Sequence, residues 1–198
     1  MSGSPARIEE QGEPRAPRSA ATHAAPRAAR TAGVPGGAGA AGSPVPAAAV
    51  RGAALADVPQ LEALMAPYVA TGDLLPRSNY DLCRHIKEYV VAEAAGGEIV
   101  GCGSLKIYSR ALGEVAGLAV RSDWQSAGVG RALLGVLVAE ARAQGLSEVL
   151  ALTRKPAFFL RLGFMPAERE QFPLKVWADC ARCPRQNCCD EIAVVRTL

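Results

Sequence analysis

Two stretches of the chain carry apolar side chains at helical spacing. Leu61, Leu64, Met65 and Tyr68 follow Asp57 and Pro59, which predicts a helix over 58–68 with Asp57 as its cap and Pro59 in its first turn. Leu133, Leu134, Leu137, Val138 and Ala141 mark a second amphipathic helix from Gly130 to Gln144, stopped by Gly145. After a break at Thr71-Gly72-Asp73, Leu82, Cys83 and Ile86 predict a short helix. Pro156 opens another that runs to Leu162 and ends at Gly163. Strand patterns occupy 48–54, Tyr89–Glu93, Glu98–Tyr108, Gly113–Val120, Glu148–Leu152 and Glu191–Val195, with Ala95-Gly96-Gly97 turning the second into the third. This order predicts an α/β (α+β) fold, a mixed and mostly antiparallel sheet crossed by about four helices, and not a βαβ repeat.

Composition divides the 198 residues. The first 50 hold 15 Ala, 7 Gly and 7 Pro, while all ten Phe, Tyr and Trp lie from Tyr68 onward. A stretch so poor in large apolar groups cannot offset its ordering entropy by burial. Residues 1–47 are therefore expected to form a disordered arm, and 48–198 one folded domain with a C-terminal cysteine cluster. Arg15, Arg18, Arg27, Arg30 and Arg51 face no acidic residue between Glu13 and Asp57, which leaves a basic tail or an organelle presequence open beside the plainer reading of solvated low complexity. With 22 basic and 19 acidic residues the net charge is only +3, so nothing calls for nucleic acid. No apolar run is long enough to span a membrane, and the expected location is cytoplasmic. The oligomeric state is left open, a homodimer included.

The chemistry concentrates at Gln125-Ser126-Ala127-Gly128-Val129-Gly130-Arg131, between a strand end and the long helix. Glycines there let the backbone turn tightly and aim successive amides, with the positive helix end, at anionic oxygens. No Gly-Lys-Ser/Thr follows, and the glycine spacing is not that of a dinucleotide site. A pyrophosphate held without a required metal fits better. Leu118-Ala119-Val120 followed by Gln125-x-x-Gly128-x-Gly130-Arg131-Ala132-Leu133-Leu134, together with Phe158-Phe159-Leu160-Arg161-Leu162-Gly163-Phe164, resembles the GNAT acetyltransferase superfamily. Leu74-Leu75-Pro76-Arg77-Ser78, Gly113 to Val120, Leu152-Thr153-Arg154 and Lys175-Val176-Trp177-x-Asp179-Cys180-x-x-Cys183, ending in Cys189-Asp190-Glu191-Ile192, are similar to the acetyltransferase domain and short stand-alone forms of N-acetylglutamate synthase.

The resemblance implies two central parallel strands that splay around the pantetheine arm of acetyl-CoA, and direct transfer of the acetyl group to an amine. It implies that Leu118, Ala119, Val120 and the loop Gln125, Ser126, Ala127, Gly128, Val129, Gly130 and Arg131 receive the cosubstrate. Arg131 either bonds phosphate or is simply solvated. Glu114 is the general-base candidate, because a protonated α-amine must lose its proton before it can attack a thioester; a plain strand-edge carboxylate is the alternative. Arg77, Gly117, Arg154 and Lys175 fall in segments like the family's substrate-binding stretches, and a guanidinium fork suits a carboxylate. Pro76 competes with Arg77 for the contacting position, and the cations also read as ordinary surface charges. Many superfamily members carry a tyrosine where Phe159 stands, so the acid for the leaving thiolate is unassigned, with Tyr108 and water as candidates. Arginine control through an amino acid kinase-like domain is expected to be absent. Cys180, Cys183, Cys188 and Cys189 suit structural zinc, reduced thiols or a redox-sensitive disulfide.

The expected reaction is acetylation of the α-amine of L-glutamate by acetyl-CoA, the first step of arginine biosynthesis. Glutamine or another small amine is the alternative acceptor. Protein acetylation, or a regulatory module that responds to CoA or metal, would be a different class of function.

Overall fold

A computed structural model describes residues 48–173, 179–183 and 185–198; the arm expected over 1–47, and Lys175, lie outside them. The described chain forms a seven-stranded sheet in the order β1-β2-β3-β4-β5-β7-β6. These strands are β1 (Ala48–Gly52), β2 (Tyr89–Ala94), β3 (Ile99–Ile107), β4 (Leu112–Val120), β5 (Glu148–Thr153), β6 (Met165–Ala167) and β7 (Ile192–Thr197). All neighbours are antiparallel except β4 and β5. The helices are α1 (Val58–Ala70), α2 (Asn79–Arg84), α3 (Val129–Ala143) and α4 (Pro156–Leu160). None of the described helices is long and apolar enough to cross a membrane.

The two faces of the sheet are covered by different helices. Leu61, Leu64 and Met65 of α1 and Leu82 of α2 pack on Tyr89, Val91, Ile99 and Cys102. On the opposite face, Leu134, Leu137, Val138 and Ala141 of α3 pack on Leu105, Val115 and Val149, while Leu133 meets Ala92, Val100 and Trp124. The apolar stripe read from α3 is thus its buried stripe, and alternating strand residues supply both cores.

Two local readings are corrected. Asp57 stands at the N-terminus of α1 but makes no side-chain cap to it; its Oδ2 accepts the Ala54 N–H at 2.8 Å and both oxygens take the Arg51 guanidinium at 2.7 and 2.9 Å. A charged fork outcompetes the helix amides for this carboxylate. The helix at Pro156 closes at Leu160. Met165–Ala167, a strand of three residues that pairs with β7, is too short for periodicity to show.

The sheet is also opened on purpose at its centre. β4 and β5 pair only at Leu112↔Glu148, Gly113↔Val149 and Glu114↔Leu150, although β4 continues to Val120 and β5 to Thr153. Against β3, the β4 register slips between Cys102↔Ala119 and Ser104↔Ala116, so Gly117 and Leu118 face Gly103 alone. Gly117 takes φ +60° at this bulge, a value that residues with a Cβ seldom adopt. The bulge bends β4 away from β5 and a cleft opens between them.

Candidate active site

The cleft holds about 630 Å³, in the range of small-molecule sites. Its floor is the separating edge of β4, from Glu114 through Val120; the start of α3 closes one end, and Asp73, Leu74, Arg77, Arg154 and Lys155 contribute to its rim. Past Glu114 and Leu150, backbone groups on the facing edges have no strand partner across the gap, so an extended ligand can hydrogen-bond there as a strand would.

At the α3 end the loop alternates in handedness. Ser126 takes φ +66° and Gly128 φ +83° before Val129 starts the helix, an arrangement that turns successive N–H groups to one side. None of the N–H groups from Ser126 to Arg131 meets a well-aligned acceptor among the described residues. Those from Gly128 to Arg131 are the first-turn amides that no helix can satisfy, and with the helix dipole they favour an anion. Arg131 is exposed on the cleft wall.

Of the residues expected to meet the cosubstrate, Leu118, Ala119, Val120, Gln125, Ser126, Gly128, Gly130 and Arg131 line the cleft. Ala127 and Val129 turn instead into the cluster of Trp124 and Leu133. The Gln125 side chain braces the backbone: its Nε2 donates to the Val120 carbonyl at 3.1 Å and to Tyr68 Oη at 3.0 Å, and the Tyr68 hydroxyl donates to the same carbonyl. Tyr68 had been legible only as a core position of α1. Its phenol pins the end of β4 to that helix.

Glu114 is 3% exposed, yet it lines the cleft at the last paired position of β4 and β5. Its Oε2 accepts the Tyr108 hydroxyl at 2.5 Å. Burial, then the adjacent Glu114 carboxylate, push the Tyr108 phenol above its usual range, so it holds its proton. Tyr108 packs with Leu112, Leu150 and Phe172, with its hydroxyl turned to the cleft-lining Glu114. Tyr89, buried beside Gly117 on the cleft floor, is pushed up to about 12, chiefly by burial.

The expected acceptor-side residues converge only in part. Arg77, Gly117 and Arg154 line the cleft. Arg154 is held by Asp190 at 2.7 Å and Asp73 at 3.1 Å, and Arg77 stands 3.8 Å from Asp179. Thr71 and then Arg154 keep the Asp73 carboxyl below its usual range. The pairing of Asp73 and Asp190 with Arg154 had no signal in the pattern of the chain, because the contacts join residues 81 and 36 positions apart.

The zinc expectation for Cys180, Cys183, Cys188 and Cys189 is not supported: among the described residues no three His, Cys, Asp or Glu are grouped to hold a metal ion. Cys188 is exposed, Cys183 Sγ accepts the Arg185 N–H at 3.4 Å, and Cys189 Sγ turns to Glu191 at 3.8 Å. Arg169 shares a small cavity of about 30 Å³ with Cys180, Cys183, Cys189, Asp179 and Glu191.

Known proteins share both the sequence and this architecture. Residues 85–166 match the acetyltransferase (GNAT) domain model. An uncharacterized N-acetyltransferase of Chlorobaculum tepidum, CT2212, is 38% identical over 156 residues, covering 78% of this chain and 100% of that protein. N-acetylglutamate synthase from Neisseria gonorrhoeae, solved with coenzyme A and N-acetyl-glutamate, superposes with a TM-score of 0.68 at 33% identity, covering 76% of this chain. This chain spans 35% of that synthase. Rv2747 from Mycobacterium tuberculosis, solved with CoA and NLQ, gives a TM-score of 0.67 at 29% identity, covering 76% of this chain and 99% of that one. A splayed β4/β5 pair, a helix-start cradle and these relatives agree: the chain belongs to the GNAT acetyltransferase family and is an acyl-CoA N-acetyltransferase of that type.

Proposed function

We propose that the protein transfers the acetyl group of acetyl-CoA to the α-amine of L-glutamate, giving N-acetyl-L-glutamate and CoA, the first step of arginine biosynthesis. The observation that carries this reading is the position of Glu114: a buried carboxylate on the cleft wall where β4 and β5 part, between an amide cradle and a rim that carries Arg77 and Arg154. The likeness to a synthase solved with N-acetyl-glutamate supports it.

In this mechanism the cradle from Ser126 to Arg131 takes the pyrophosphate, and the open edge of β4 takes the pantetheine arm. Arg77 and Arg154 orient the acceptor's carboxylates. Glu114 accepts a proton from the ammonium, directly or through a water, and the freed lone pair attacks the thioester carbonyl. The adduct nitrogen gives up its second proton to solvent, and collapse forms the amide and expels CoA as a thiolate, which takes a proton from water; with an ordinary thiol pKa near 8.5 it needs only modest help. Phe159 has no proton to give, and none is required of it.

One observation favours a second reading, a neutral acceptor such as L-glutamine. Arg154 and Arg77 already carry acidic partners, which reduces the net positive charge offered to a second carboxylate. CoA release measured with a panel of amino acids separates the two, and indifference to glutamate removes the first. Glu114→Gln is expected to keep CoA affinity while turnover falls by about 10²–10⁴-fold. Unchanged turnover would end the base assignment.

A further inference from the structure

Glu114 does not act in isolation from the sheet behind it. Tyr108, in the turn from β3 to β4, donates to Glu114 Oε2 at 2.5 Å, and the same phenol lies 3.4 Å from Asp179 Oδ2. Asp179 Oδ2 receives Lys106 Nζ of β3 at 2.6 Å, with Arg77 at 3.8 Å. Lys106 and Asp179 are both largely buried. Lys106 and Glu114 are register partners across β3 and β4, while the facing position of β5 is the apolar Leu150.

A phenol has one proton to donate, and here two carboxylates surround it. Distance settles the choice in favour of Glu114. The two cations supply Asp179 with charge, so it competes weakly for that proton and repels the neighbouring carboxylate less than a bare aspartate would. A hydrogen bond donated to a carboxylate favours its ionised form and fixes the plane of its oxygens.

We propose that Tyr108 is a positioning residue for Glu114, holding the carboxylate in one orientation and in its ionised form, with Lys106 and Asp179 setting the direction of the Tyr108 hydroxyl. The inference rests on Glu114 being the base. It assigns a task to three residues outside the cradle and the acceptor rim, around a carboxylate that is 3% exposed.

The test is the pH profile of kcat/KM for Tyr108→Phe, with acetyl-CoA and the amine that the panel identifies. The phenylalanine keeps the ring and removes only the donor. The acid limb is expected to move up by about one pH unit, a tenfold loss below it, with the alkaline plateau and CoA affinity retained. Lys106→Gln leaves the phenol in place but strengthens Asp179 as a competitor. It is expected to shift the limb in the same direction by less, and it decides the matter should Tyr108→Phe melt early. An unmoved limb, or an equal drop at every pH, overturns the proposal. Glu114→Gln run alongside separates the two levels: full turnover in that variant removes the base itself, whereas an inactive Glu114→Gln with a wild-type Tyr108→Phe profile removes only the role of Tyr108.

Discussion

A single methyl group placed at the start of α3 tests whether backbone geometry holds the cosubstrate. Gly128 takes φ +83°, and a Cβ built there meets no atom within 4 Å, so Gly128→Ala adds no clash and its whole effect is conformational. Left-handed backbone costs a residue with a Cβ about 1–2 kcal/mol. In the free protein the loop can relax to escape that cost, but the cradle must be restored to bind pyrophosphate, so the penalty falls on affinity. At 1.4 kcal/mol per tenfold, the Kd for CoA is expected to rise by about 5–30-fold. Gly145, just past the other end of α3, provides a matched control: φ is +77° and again nothing lies within 4 Å. Gly145→Ala imposes the same backbone cost on the same helix away from the cleft, and should lower Tm while leaving the Kd for CoA alone. Calorimetric titration of both variants with CoA decides it. Equal losses of affinity would show that helix stability is what matters, and wild-type binding by Gly128→Ala would remove the amide cradle from the argument.

Two further outcomes follow from the packing and charges. Leu137, 1% exposed under the sheet, leaves a cavity on truncation; Leu137→Ala should cost ~2–5 kcal/mol, a Tm loss of about 6–15 °C, with CoA affinity kept at low temperature, and an unchanged melt would contradict the buried stripe. The Asp57 carboxyl is held below its usual range, first by Arg51, so its contribution is fully present above the unfolded value near 3.9 and lost as pH falls through the lower folded value. The Tm difference between wild type and Asp57→Asn should therefore shrink on going from pH 7 to pH 3. Parallel melting curves across that range would show that the Arg51 fork does not stabilise the fold.

How much could be read without coordinates depends on the range of the interaction involved. The stripe of α3, the hairpin of β2 and β3, and the loop from Gln125 to Arg131 each depend on residues close in the chain, where spacing alone states the geometry. The Gly128 turn became a candidate in the same way, whereas Glu114 was singled out as the base through the family resemblance and the chemistry of a protonated amine. The reach of Asp73 and Asp190 to Arg154, of Tyr68 to the Val120 carbonyl, and of Asp179 to Lys106 joins distant segments with no periodicity to report them.

Local patterning therefore determined which segments become helices and strands, which faces they bury, and where a chain of amides could meet an anion, because those properties follow from backbone periods and from neighbours a few residues away. Only the assembled sheet decided that β4 and β5 part at Glu114↔Leu150, that the carboxylate there is buried against Tyr108, and that the rim arginines arrive already paired. Such choices depend on strand order, a bulge at Gly117 and the competition among charges brought together from far along the chain, and none of these exists until the tertiary contacts form.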